Sequence, residues 1–255
     1  MDADKLDTED YFIAYLDILG YKENVLKEEK NSDNAFLNTI IECIEASEYF
    51  VNNSKKINEK AEIKMKIFTD NFFYCTKRDY LALLNIISIL QALFIHKNIF
   101  IRGALYYGKL YCDNNIIYGK GIMDAYEIES EIAVFPRVII DDTFFHGALG
   151  IELGKYPNDA TLEKIMNVLK THYCIDFDYS KFIDYIGNIK LTLDSIPPGI
   201  INFEFDKLLS DHAKYIKENL KTNNRRKKQK YQWCAIYHND ICVKYKYNDL
   251  KINLE

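Results

Sequence analysis

Two aspartates close apolar runs in this chain: Asp17 in FIAYLDILGY and Asp70 in KIFTDNFFY. A carboxylate at the end of a buried strand is costly to leave unpaired, and two that face one another make a site for a divalent cation. Mg²⁺ takes one or two carboxylates together with substrate phosphates in preference to a full protein cage, so the pair suits a nucleoside triphosphate. Each aspartate alone has a simpler use, accepting hydrogen bonds from turn amides.

The elements that must position this pair follow from apolar periodicity. Tyr11 to Asp17 reads as a central strand running into a tight turn at Gly20. Phe36, Ile40, Ile41, Ile44 and Phe50 predict a helix over Asn34 to Phe50, followed by a lysine-rich linker from Asn52 to Lys60. Ile63 to Phe68 and Phe72 to Thr76 read as a hairpin with Asp70 and Asn71 at its tip. A strongly apolar helix starts at Arg78 or Asp79 and runs to His96. Ile99 to Tyr106 reads as a strand, with turns at Gly108 and Asp113-Asn114-Asn115. Gly119 to Ser130 predicts a helix and Val138 to Ile140 a strand. This order predicts an α+β sheet with helices on one face, a ferredoxin-like layout with added elements. Beyond about residue 146 the pattern turns helical, with Asn158 to His172 and Phe203 to Leu220 separated by the break Pro197-Pro198-Gly199.

Bulk properties exclude several classes. With 255 residues the chain can bury a large core, and its net charge of −5 argues against a broad nucleic-acid-binding surface. Cys43, Cys75, Cys112, Cys174, Cys234 and Cys242 show no CxxC and no regular spacing, which predicts buried thiols in a reducing compartment. The acidic opening MDADKLDTED does not resemble a signal peptide, and no apolar stretch is long enough to span a membrane, so the expected location is cytoplasmic. His96, His146, His172, His212 and His238 show no metal-ligand spacing, and no Ser-His-Asp order is readable. The basic run NNRRKKQK, Asn223 to Lys230, reads first as a solvated helix face and only then as a nucleic-acid surface, a lysine turned toward a triphosphate being its other use.

Taken in order, these segments carry a family resemblance. FIAYLDILGY (Phe12 to Tyr21) resembles the first metal-binding strand and phosphate loop of class III nucleotidyl cyclases, and KIFTDNFFY resembles their hairpin with the second metal aspartate. IRGALYYGKLY and IIYGKGIMDAYEIES resemble the strand, glycine turn and helix that complete the site. Together with FPRVII and the late YQWCAIYHN (Tyr231 to Asn239), the set is similar to bacterial Pycsar pyrimidine cyclases, which make cyclic CMP or cyclic UMP as an alarm during phage infection.

The resemblance implies a βααββαβ cyclase core over residues 7–145 and a mainly helical C-terminal extension, 146–255, packing on it. It implies two Mg²⁺ or Mn²⁺ ions held by Asp17, Asp70 and the backbone of Ile18, with Ile18, Leu19, Gly20 and Tyr21 lining the phosphates. It further implies conversion of CTP or UTP to the 3′,5′-cyclic monophosphate plus pyrophosphate, in a homodimer with shared sites, the product acting on a separate effector.

Base-reading positions map to Lys66 and Ile116. Related purine cyclases place Lys or Glu at the first and, for adenine, an aspartate at the second; Ile116 accepts no hydrogen bond, which favours a pyrimidine over adenine. An adenylate cyclase using Lys66 alone is the enzymatic alternative, and for Lys66 itself a half-exposed strand position is the plainer use. The positions that supply an Asn and an Arg to the transition state in many relatives carry Met123 and Glu127. Arg102 and Arg137 are then the candidate cations, Arg102 balanced between catalysis and bracing against Glu127 or Glu129, Arg137 inclined to bracing. Met123 and Glu127 also motivate a degenerate domain that binds without turnover. Tyr106, Tyr107 and Tyr118 could stack on a base but fit a core equally.

Overall fold

The computed structural model describes residues 7–57, 62–155, 158–195 and 204–254. Strand β1 (Glu9–Ile18) is followed by helices α1 (Tyr21–Asn31) and α2 (Ala35–Ile57), the hairpin β2 (Lys64–Phe68) and β3 (Asn71–Thr76), and helix α3 (Tyr80–His96). Next come β4 (Ile101–Cys112), the short β5 (Ile117–Tyr118), α4 (Lys120–Glu127) running into a π-helical turn at Ile128–Ile132, and β6 (Val138–Ile140). The chain continues through α5 (Asp142–Lys155), α6 (Asp159–Lys170), β7 (Tyr173–Ile175), β8 (Lys181–Ile183), α7 (Tyr185–Ser195), α8 (Phe205–Asn219) and α9 (Arg225–Tyr245).

The fold is α+β. One sheet carries the strands in the order β2-β3-β1-β4-β6-β8-β7, with β5 paired to β4. Among the described residues only the β4–β6 pair is parallel. Side chains alternate along β1, so Phe12, Ala14, Leu16 and Ile18 enter the large core beneath the helices, while Tyr11 and Ile13 join a smaller cluster on the opposite face, where α4 packs. Asp17 follows the same alternation and lies on the α4 face.

Three expectations change. Gly108 does not end a strand: it pairs with Tyr11 inside β4, which runs on to Cys112. A Cβ at Gly121 would come within 2.6 Å of Ile13 and 3.0 Å of the Lys109 carbonyl, so this glycine lets α4 lie close on the sheet, while a Cβ at Gly108 would meet the Tyr106 ring of its own strand at 2.7 Å. The 146–255 segment is mostly helical, yet its β7 and β8 extend the sheet through Ile139↔Phe182, and one hydrophobic core runs from Phe12 through Phe182 to Trp233. A boundary at 145/146 falls inside α5. The break Pro197-Pro198-Gly199, the end of the Asn52 to Lys60 linker and the expected helix start at Phe203 lie outside the described residues.

Candidate active site

Asp17 sits near the end of β1, in register with Arg102 of β4 on one side and Asn71 of β3 on the other. Asp70 occupies the two-residue turn between β2 and β3. Thr69 beside it takes φ +55, a left-handed conformation that a β-branched residue adopts at a cost of about 1–2 kcal/mol. The turn is latched to β1, since the Ile18 amide donates to the Asp70 carbonyl at 3.0 Å. Asp70 Oδ1 accepts from Thr69 Oγ1 at 2.7 Å and from Asn71 Nδ2 at 3.1 Å.

The two carboxyl groups lie within electrostatic reach of one another. Burial pushes the Asp17 pKa up, Arg102 opposes that shift, and the negative charge of Asp70 adds to it. Arg102 Nε donates to Asp17 Oδ2 at 3.0 Å, its Nη2 lies 2.7 Å from Glu129 Oε1, and its Nη1 donates to the Ala133 carbonyl at 3.3 Å. Glu129 comes from the π-helical turn and is 3% exposed. Desolvation drives its carboxyl up to about 7, against the Arg102 charge and with help from Asp17 and Asp70. A π-turn at this point is the local device that swings a helical glutamate onto the arginine.

A cation from far along the chain joins the cluster. Lys230, in the first turns of α9, is half-buried, and its ammonium pKa is lowered by desolvation and by Arg102 while Asp17 and Glu129 raise it. The last residue of the basic run is therefore drawn off the solvated face and lies within electrostatic reach of the carboxylates. Its sequence signal was faint, because the docking angle of α9 decides which lysine of the run turns inward.

The phosphate-loop expectation narrows. The Ile18 amide is committed to Asp70, and the Leu19 amide donates to the Phe100 carbonyl at 2.9 Å, so neither is free for an anion. Gly20, at φ +80, is the N-cap of α1, and its amide and that of Tyr21 stand at the helix N-terminus. Leu19 and Gly20 line a cavity of about 640 Å³ whose other walls include Phe100, Tyr231 and Lys230.

Lys66 lies on β2 opposite Phe73, which pairs with Tyr15, placing it on the face that carries Asp17. Its ammonium is buried with no hydrogen-bond partner among the described residues. Ile116 is 54% exposed, and its amide donates to Asp113 Oδ1 at 2.7 Å. Asp113 was not foreseen: two turn amides and the Tyr111 hydroxyl hold its carboxyl below the usual range, with Lys66 adding to the effect.

Other candidates separate clearly. Met123 is 69% exposed and Glu127 is exposed, so neither points into the cluster. Arg137 is buried and makes a bidentate pair with Asp178 (3.1 and 2.5 Å) and a bond to Asp176, which also accepts from Trp233 Nε1 at 2.6 Å. It braces the π-turn region against the β7–β8 loop. Tyr107 packs on Phe12 in the core, Tyr106 borders the α4 cluster, and Tyr118 is exposed. His212 and His238 are buried partners of one another, as core histidines. The six cysteines are free thiols, five of them buried. Among the described residues no group of three or more His, Cys, Asp or Glu side chains forms a metal cage, and no helix is long and apolar enough to cross a membrane.

No family model matches the chain by sequence, and no curated protein does. Among solved structures, the monomeric guanylyl cyclase domain of the RhoGC fusion protein from the aquatic fungus Blastocladiella emersonii is similar at 11% identity and TM-score 0.46, over 69% of this chain and 96% of that one. A bacterial light-regulated adenylyl cyclase is similar at 11% identity and TM-score 0.38, over 56% of this chain and 47% of that one. These are likenesses of chain path at low identity, and the chemistry of the site is read from its side chains.

Proposed function

We propose that the protein is a nucleotidyl cyclase that closes a pyrimidine nucleoside triphosphate, CTP or UTP, to the 3′,5′-cyclic monophosphate with release of pyrophosphate. The observation that carries this reading is the convergence of Asp17 and Asp70 where β1 meets the β2–β3 turn, held by the Ile18 to Asp70 backbone bond. Such a carboxylate pair fits Mg²⁺ or Mn²⁺, which complete their shells with phosphate oxygens. Asp17, Asp70 and the Ile18 carbonyl would hold two such ions, which supply Lewis-acid stabilisation of the triphosphate and of the departing pyrophosphate.

The remaining tasks fall to this chain. Arg102 aligns Asp17 by its 3.0 Å bond and places a fixed positive charge beside the transferring phosphoryl group. Gly20 and Tyr21 offer amides at the N-terminus of α1. Lys66 presents an unpartnered ammonium to the base, and the exposed Ile116 side chain offers no acceptor for an adenine amino group. Exposed Met123, Tyr126, Ile132 and Val134 cluster in sequence on and after α4, which supports a homodimer that covers this surface. The product would act on a separate effector.

Two observations favour alternatives. Asp113, electrostatically linked to Lys66, would restore an acceptor for adenine and so favours cyclic AMP. Arg102 engaging Asp17 favours a degenerate domain that binds nucleotide without turnover. Incubating the full chain with each of the four triphosphates and Mn²⁺ decides among them: cyclic CMP or cyclic UMP is the expected product, cyclic AMP alone would overturn the pyrimidine assignment, and no product with any triphosphate or metal would leave the degenerate domain.

A further inference from the structure

The basic opening of α9 and the cavity beside the carboxylate cluster belong together. That cavity, about 640 Å³, is of ligand size and is framed by the β1–α1 turn, α1 and the start of α2, the α3–β4 turn and the helices α8 and α9. In a chain of net charge −5, five cationic side chains line it against three carboxylates.

The carboxylates are already engaged. Glu28 accepts from the amides of Phe36 and Leu37, Asp33 accepts from the Ala35 amide, and Glu23 pairs with Lys227. Lys97 is paired with Glu42. Lys27, Arg226 and Lys230 have no ion-pair partner among the described residues. Arg226 and Lys230 stand four residues apart and share one side of α9, an arrangement of like charges that weakens a helix unless an anion sits between them. Arg225 and Lys228, on the same run, are exposed and do not line the cavity. Lys230 joins the two regions, lining the cavity while lying in electrostatic contact with Asp17 and Glu129.

We propose that Lys230, Arg226 and Lys27 bind the polyphosphate tail of the substrate in this cavity, so that the C-terminal helix of the same chain supplies the positive charge that α4, with Met123 and Glu127, does not. The identity of the ligand rests on the triphosphate reading above; the binding site itself does not depend on turnover. On this assignment α9 is the substrate-binding wall of the active site. The opposite end of the tail would then extend toward Asp17 past Lys230, which lines the cavity and lies within electrostatic reach of that carboxylate.

Calorimetric titration of the full chain with inorganic tripolyphosphate and Mg²⁺ tests this without any reaction. Wild type is expected to bind one equivalent, Lys230→Gln and Arg226→Gln to bind at least tenfold more weakly, and Lys27→Gln several-fold more weakly. Arg225→Gln and Lys228→Gln should stay within twofold. Absence of tripolyphosphate binding by wild type, or equal losses for Lys228→Gln and Arg226→Gln, would overturn the assignment. If Lys230→Gln fails to fold, Arg226→Gln and Lys27→Gln decide, since both side chains are exposed at the rim. A single-stranded oligonucleotide that binds through Arg225 and Lys228 as strongly as through Arg226 would make the run a nucleic-acid surface and also overturn it. Tripolyphosphate binding with no cyclic product would strike the proposed reaction and leave this site standing. Cyclic product with unchanged Km and unchanged tripolyphosphate affinity in Arg226→Gln and Lys230→Gln would do the reverse.

Discussion

Arg102 and Arg137 flank the same sheet, and each contacts two acids, yet their surroundings are opposites. Arg137 is 1% exposed and forks onto Asp178, which it holds down to about 2, while Asp176 is shared with Trp233. Arg102 touches Asp17 and Glu129, and both carboxyls still stand above their ordinary values, Glu129 at about 7. One network is compensated within the fold. In the other a single guanidinium faces three acids that crowd one another, and the half-buried Lys230 only partly offsets them. An arrangement with negative charge left over is costly by itself, and the cation and phosphates of the proposed function would offset it. On the proposed function, the contrast is that between a brace and a binding site.

The sharpest way to break the comparison is to remove each arginine's function in turn. Arg137→Met leaves two acids facing a buried gap, and a loss of about 3–5 kcal/mol is expected in urea unfolding. A loss under about 1 kcal/mol would mean that Arg137 is no brace. On the other side, Asp17→Asn or Asp70→Asn should lower turnover by roughly 10²- to 10³-fold, about 3–4 kcal/mol of barrier, with the melting temperature unchanged or raised. Equal falls in stability and activity would place the aspartates in the brace class.

Much of this was legible in the chain. Asp17 and Asp70 stood out because an acid that interrupts an apolar strand must be accounted for chemically, and Gly20 beside Asp17 marked the turn. Other features were hidden by physics that is not local. Gly108 looks like a turn residue but lies inside β4, and Gly121 is the residue that lets α4 approach it, since a Cβ there would come within 3.0 Å of the Lys109 carbonyl, a contact between segments that the spacing of one cannot reveal. The three-residue strands β7 and β8 are too short to show alternation. The π-turn has the composition of an ordinary helix, and only the Arg102 contact explains why Glu129 points inward. Lys230 was visible only as one charge in a run, since its partners lie more than a hundred residues away in the sequence.

Glu129 sharpens the comparison through pH. Its carboxyl moves from an ordinary 4.5 to about 7 on folding, so the folded state binds the proton more tightly. Stability is full below about 4.5 and declines as the pH rises through 7, by up to about 3 kcal/mol. Glu129→Gln should remove that decline. Thermal melts at closely spaced pH values measure it, and parallel curves for wild type and Glu129→Gln would show that the site carries no excess charge.

The smallest effect has the opposite sign and comes from the brace. Asp178 drops from 3.8 to about 2 because Arg137 and the Ser180 amide bind its charged form. A group whose pKa falls on folding contributes stability above its unfolded value and loses it as the pH drops toward the folded one. Wild type should therefore exceed Asp178→Asn at pH 7 and converge with it near pH 2. The carboxylate is 35% exposed, so solvent screening limits the difference to about 1 kcal/mol. The two acids thus tilt stability in opposite directions with pH. A Glu129→Gln, Asp178→Asn double variant should show the sum of the two single effects, because the networks share no side chain. Non-additivity beyond about 0.5 kcal/mol would mean that the π-turn transmits charge between Arg102 and Arg137, and the division into brace and site would have to be redrawn as one coupled network.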